Sequence, residues 1–148
     1  MATRTKAGDA FSEVVVQVLY LNGLLTAVGD ELASASGQST ARWRVLAAFE
    51  AQPRTVASAA AALGLTRQSV QRVANELGAD GLTRTQANPA DRRADLIELT
   101  SDGKKTLAAI QKTQARWADR LGAELGPRHL SAIRQSLQHL TQALTTQE

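Results

Sequence analysis

The chain has 148 residues with 17 Lys and Arg against 14 Asp and Glu, a formal net charge of +3 and a pI of about 9.8. A chain of this length buries about two thirds of the surface that its unfolded form exposes, so it can hold a core without staples. The absence of cysteine excludes disulfides, thiolate metal sites and a cysteine redox switch, while the basic balance suggests an anionic partner without establishing one.

Residues 1–8 are expected as a flexible tail and residues 9–148 as a single domain. The opening MATRTKAGDA has no apolar h-region, and no unbroken run of eighteen apolar residues follows. Neither a secretory signal nor a membrane span is therefore expected, and a cytoplasmic location is. From Phe11 to Leu32, residues Val14, Val15, Val18, Leu21, Leu25, Val28 and Leu32 recur at spacings of three and four and mark a helix with one broad apolar face. Gly37 is its stop. Thr40 is placed to cap a second helix, ARWRVLAAFEA, which Pro53 terminates.

A short third helix covers VASAAAAL and halts at Gly64. Its four consecutive alanines, Ala59 to Ala62, favour helix and allow a neighbouring helix to approach, or are plain filler. Thr66 stands where an N-cap belongs, a contribution of about 1 kcal/mol. In the fourth helix Val70, Val73 and Leu77 fall at i, i+3 and i+7 and dock it on its own domain. Arg67, Gln68, Ser69, Gln71, Arg72 and Asn75 are left pointing elsewhere, most of them outward.

After Gly81 the period changes. LTRTQ and ADLIEL read as short strands joined by the turn-forming ANPADRR, a hairpin with a charged tip. Ser101 and Asp102 open the next helix, where Leu107, Ile110, Trp117, Leu121 and Leu125 carry an apolar stripe as far as Gly126 and Pro127. The last helix repeats Leu130, Ile133, Leu137, Leu140 and Leu144 in steps of three and four, a seam suited to packing against another helix. His129 and His139 have no ligand cluster near them in sequence, so no metal and no cofactor is expected.

A short helix, a Gly-Leu-Thr turn, a second helix and a hairpin make the arrangement of a winged helix-turn-helix. The pieces TARWRVL, TVASAAAALGLTRQSVQRVANELGADGL and TRTQANPADRRADLIELTSDGKK strongly resemble the MarR family of bacterial transcription regulators, and the flanking helices extend the likeness over nearly the whole chain. The resemblance implies a mainly α fold with a small β-hairpin wing. Its winged helix-turn-helix core, about residues 38–100, would lie between N- and C-terminal dimerisation helices, about 9–36 and 101–146. One departure is that Ala59 and Ala57 stand where the family usually has a leucine and a polar cap.

The exposed side of the fourth helix then acquires a chemical meaning. Arginine and glutamine match the donor and acceptor patterns of base edges in the major groove in a bidentate way, each good pair discriminating by roughly 1–3 kcal/mol. Arg67, Gln68, Gln71 and Arg72 are such residues, whereas Thr66 and Ser69 suit phosphate contacts beside the free N–H groups of the helix start. A plain solvated face is the alternative. Asp91, Arg92 and Arg93 resemble the family's wing motif, which implies that Arg93 enters the minor groove, where narrow grooves attract arginine, while Asp91 helps to hold the wing. From Arg54 to Arg93 six arginines face Glu76, Asp80 and Asp91, so this segment alone carries an excess equal to that of the chain.

The apolar stripes of the terminal helices either close an intramolecular core or pair two subunits on double-stranded DNA, setting two reading helices about one DNA turn apart on an imperfect palindromic operator. The family further implies a repressor released by a small aromatic or phenolic effector. Trp43, with Arg42 or Arg44 balancing an anionic group, is the candidate pocket for it, and Trp43 also suits a core anchor. The rival reading is a nucleoid-type architectural protein with little sequence preference. No nucleophile and base pairing, phosphate loop or metal constellation marks an enzyme.

Overall fold

The computed structural model describes residues 4–146, which form α1 (Lys6–Ser34), α2 (Thr40–Ala48), α3 (Val56–Leu63), α4 (Arg67–Ala79), β1 (Thr83–Gln86), β2 (Leu96–Leu99), α5 (Ser101–Leu125) and α6 (Pro127–Thr145). This is the mainly helical fold with one small antiparallel hairpin that the sequence led us to expect. The chain divides into two compact units between Ile110 and Gln111.

In the first unit, α1 starts earlier than its apolar stripe. Thr5 accepts from the Gly8 amide at 3.1 Å and caps the helix, so residues 6–8 of the expected tail are helical. Only the C-terminal end of α1 docks, through the buried Gly29 and Ala33. Phe11, Val14, Val15, Leu21 and Leu25 of the anticipated apolar face stay exposed, as do Val16, Leu19 and Tyr20. An 18-residue window of α1 reaches a mean hydropathy of 1.5, enough by length and composition alone to cross a membrane. The expectation of no such span rested on an unbroken run, and Gln17 and Asn22 interrupt the run without lowering the average far enough.

The second helix corrects a cap. Ser39, not Thr40, accepts from the Arg42 amide at 3.3 Å, and Thr40 is the first helical residue. Thr40 is drawn instead to α1, its hydroxyl donating to the Thr26 carbonyl at 2.8 Å and its amide to Asp30 Oδ1 at 2.7 Å. Either hydroxyl satisfies a local capping rule, and the tertiary contact selects between them. The helix stops at Ala48, which leaves Phe49 to seal the core at 2% exposure.

That core is built from Val45, Leu46 and Phe49 behind α2, Ala59 and Ala60 of α3, Val70, Val73, Ala74 and Leu77 of α4, and Leu82, Ile97, Leu99 and Leu107. The alanine run is thus split: Ala59 and Ala60 are packed, and Ala61 and Ala62 face solvent. The missing polar cap at Ala57 is supplied one turn boundary earlier, where Thr55 accepts from the Ser58 amide at 3.1 Å. Gly64 then ends α3 in the left-handed region at φ 64°, a conformation open to glycine at no steric cost.

The hairpin pairs Thr83 with Leu99 and Gln86 with Leu96, and Arg84 meets Glu98 across it at 2.6 Å. A third strand position joins it that sequence reading missed: Arg54 exchanges both backbone hydrogen bonds with Ile97, at 3.1 and 2.9 Å. A single bridging residue after Pro53 leaves no alternating pattern to read. Helix α5 opens at Ser101 with Asp102 in its first turn, as expected, against the hairpin's other end, where the Thr100 hydroxyl accepts from the Gly103 amide at 3.1 Å and serves as its cap.

The second unit holds the rest of α5 and all of α6. No residue of α6 is buried, and Leu130, Ile133, Leu137 and Leu144 are all exposed. The predicted seam exists as a pattern and is left uncovered.

Candidate nucleic-acid interface

Helix α4 is fixed at its start and along one face. Thr66 Oγ1 accepts from the Ser69 amide at 3.2 Å and donates to Ser69 Oγ at 3.0 Å, while that hydroxyl donates to the Thr66 carbonyl at 2.9 Å. The two residues expected at phosphates are thus also the lock of the helix start. Four buried side chains, Val70, Val73, Ala74 and Leu77, hold the body. With 3.6 residues per turn, this places Gln68, Arg72 and Asn75 on the opposite, exposed ridge.

The ridge has two unlike shoulders. On one, a cavity of about 730 Å³ opens between α4 and the hairpin, and Arg67, Gln68, Gln71, Asn75, Thr85 and Arg93 are among its lining residues. Across this shoulder Gln71 donates to Asn75 Oδ1 at 2.9 Å. Three of the residues anticipated on the reading helix therefore share one polar cavity with one of those anticipated on the wing. Sequence reading did not foresee Asn75 or Thr85 as lining it, because the i, i+4 step from Gln71 shows only that the two amides are neighbours.

Arg72 stands apart, on the other shoulder. Its Nη1 lies 2.7 Å from Glu76 Oε1, and the second oxygen of Glu76 lies 3.8 Å from Arg42 Nη1. Arg42 in turn pairs with Asp80 and donates from Nε to Gln38 Oε1 at 2.7 Å. Glu76 thus sits between two guanidiniums, one on the exposed ridge and one on α2. The Arg72–Glu76 half was legible as an i, i+4 spacing, and the Arg42 half was not.

At the hairpin tip two aspartate-type turns set the chain direction. Asn88 Oδ1 accepts from the Ala90 amide at 3.0 Å, and Asp91 Oδ1 accepts from the Arg93 amide at 2.9 Å. Asp91 holds the backbone that presents Arg93, and Arg92 and Arg93 are exposed. Cationic side chains on α4 and at the tip flank the same polar cavity, a surface that favours an anionic, hydrogen-bonding partner.

The three residues considered for an effector are differently placed. Trp43 is partly buried against the core, Arg42 is committed to Asp80 and Gln38, and Arg44 donates to the Leu63 carbonyl at 3.0 Å at the end of α3. Among the described residues no three metal-ligating side chains cluster.

A family model described as the MarR family matches residues 36–94. The chain is 38% identical over 136 residues to an uncharacterized protein of Mycobacterium tuberculosis, covering 92% of this chain and 95% of that one. Among solved structures, the transcriptional repressor CouR bound to a 23-mer DNA duplex is similar at 27% identity and a TM-score of 0.75, over 94% of this chain and 99% of that chain. The M. tuberculosis transcriptional regulator MOSR, in complex with DNA, is similar at 26% identity and a TM-score of 0.70, over 89% and 96%. AbsC, a MarR family transcriptional regulator from Streptomyces coelicolor, shares the fold at a TM-score of 0.81 with 17% identity, over 99% and 100%.

Proposed function

The chain belongs to the MarR family, and because the similar regulators CouR and MOSR are solved bound to DNA, we propose that it reads a specific DNA duplex as a homodimer and represses transcription there. One observation carries the reading: Arg67, Gln68 and Gln71 of α4 and Arg93 of the hairpin surround one open, polar cavity. An α-helix fits the major groove, where these side chains find base-edge partners, and Arg93 then reaches the adjacent minor groove while Asp91 holds its backbone. Thr66 and Ser69, with the free amides of the first turn, take the phosphates, and Arg92 adds a further backbone contact.

A second copy is the occupant that the apolar surfaces favour. The exposed Phe11, Leu19 and Tyr20 of α1 and Leu130, Ile133 and Leu137 of α6 lie uncovered on the single chain, and pairing them gives two reading helices for an imperfect palindrome. The hydropathy of α1 is explained by the same contact, with the protein acting in the cytoplasm.

Release by a small aromatic or phenolic effector completes the proposal. The fold relative CouR has been solved bound to p-coumaroyl-CoA. Here Trp43 offers an aromatic face, and an anionic ligand near it would have to draw Arg42 from Asp80 or Arg44 from the Leu63 carbonyl. Such a ligand acts only through unequal affinity for the DNA-competent and released conformations.

The decisive experiment selects genomic fragments with purified protein and then competes the recovered duplex against a scrambled one at several salt concentrations. A preference of a thousandfold or more is expected of a specific regulator. Equal affinity at every salt concentration would instead support the architectural reading.

A further inference from the structure

We propose that Glu76 is a specificity-determining residue, a built-in competitor that holds Arg72 away from DNA until a correct base takes its place. The inference rests on the reading of α4 as the groove-binding helix. Arg72 stands on the exposed ridge with its side chain 67% accessible, yet its guanidinium is engaged by Glu76 Oε1 at 2.7 Å. The other oxygen of that carboxylate faces Arg42 Nη1 at 3.8 Å, and the Arg42 side chain is only 18% accessible and anchored by Gln38 and Asp80.

The three groups define two arrangements. In the free protein Glu76 bonds Arg72 and only approaches Arg42, and the pair is electrically neutral on the groove face. On an unselected duplex this arrangement persists, because a single phosphate offers Arg72 little that the carboxylate does not already provide. Arg72 then contributes no counterion release. At a base pair with two well-placed acceptors, such as the N7 and O6 of guanine, Arg72 gains a bidentate partner and leaves the carboxylate. Glu76 is not stranded, since a shift of about one ångström brings its second oxygen to hydrogen-bond distance from Arg42. The carboxylate thus charges a toll on binding that only the right base offsets, which is how a repulsive element sharpens discrimination.

The test compares Glu76→Gln with the parent on the selected operator and on a scrambled duplex across a salt series, with melting temperature measured alongside. Glutamine is nearly isosteric and lies on the surface of a helix whose packing residues are untouched. On the scrambled duplex the variant is expected to bind roughly fivefold tighter near 0.15 M salt, with a log–log salt slope steeper by about 0.9, the signature of one added phosphate contact. On the operator its slope stays that of the parent and the affinity rises no more than about twofold, so discrimination falls. Arg72→Ala/Glu76→Gln must lose the gain on the scrambled duplex.

If Glu76→Gln lowers only the melting temperature and leaves both slopes unchanged, the pair is a helix-stabilising contact and the proposal is overturned. A gain that survives in the double variant overturns it too, because the carboxylate then acts by its own charge and not through Arg72. A parent that shows no preference for its selected duplex instead removes the underlying reading of α4.

Discussion

Gly29 of α1 and Thr40 of α2 are in contact, and the hydrogen atom that glycine carries in place of a side chain is what permits it. A Cβ at residue 29 would run into the Thr40 hydroxyl, which is held in place by its 2.8 Å bond to the Thr26 carbonyl. The same device recurs at Gly103, whose Cβ would meet the Leu82 carbonyl, itself bonded by the Thr100 amide at 3.0 Å.

These contacts fix the sign of three otherwise identical substitutions. Gly29→Ala is expected to destabilise by about 1–3 kcal/mol, the usual range for overpacking, and Gly103→Ala by at least as much because a backbone carbonyl cannot rotate aside. Gly78→Ala in α4 meets only Thr83 Oγ1 at 3.7 Å, an ordinary contact. It should gain up to about 1 kcal/mol from helix propensity. Urea unfolding of the three variants checks the order; equal losses at all three positions would contradict it.

The lock at the start of α4 gives a second expectation. Thr66→Ala removes the acceptor for the Ser69 amide and the partner of the Ser69 hydroxyl, at a cost of about 1 kcal/mol, whereas Thr66→Asp restores the cap. Chemical denaturation should therefore rank the parent and the aspartate variant together and the alanine variant below. Against DNA the aspartate variant should bind poorly despite its stability, because it sets a negative charge where a phosphate is proposed to lie.

The two arginines differ in what they should do to binding. Arg93→Ala is expected to weaken every duplex alike and to lower the salt slope by about one, as the loss of a shape-reading cation would. Arg72→Ala should relax discrimination at one base position by about 1–3 kcal/mol and leave scrambled duplex nearly unchanged. A binding-site selection with each variant separates a uniform loss from a positional one.

Association is testable without DNA. The parent should sediment as a dimer at micromolar concentration, and Leu19→Asp or Leu137→Asp should yield folded monomers, since both residues are exposed on the single chain and a charge there spoils only an apolar interface. A parent that sediments as a monomer would remove the homodimer, and one that needs detergent would turn attention to α1 as a membrane segment.

What the sequence by itself determined was whatever is written within one or two helical turns. The docking stripe of Val70, Val73 and Leu77, the cap at Thr66, the stop at Gly64, the charged turn of the hairpin and the winged order of elements were all legible, because spacing, capping and turn chemistry act between residues a few positions apart. The uncovered seam of α6 was legible as a pattern, though not as a free surface. Tertiary structure alone decided which of two hydroxyls caps α2, that Arg54 adds a strand position beside Ile97, and that Arg42 is spent on Asp80, 38 residues away. It also decided which shoulder of α4 faces the hairpin, and so which of its polar residues gather around Arg93 and which remain with Glu76. Those outcomes depend on how helices approach across the core, where competing local choices are nearly equal in energy and a single distant partner tips the balance.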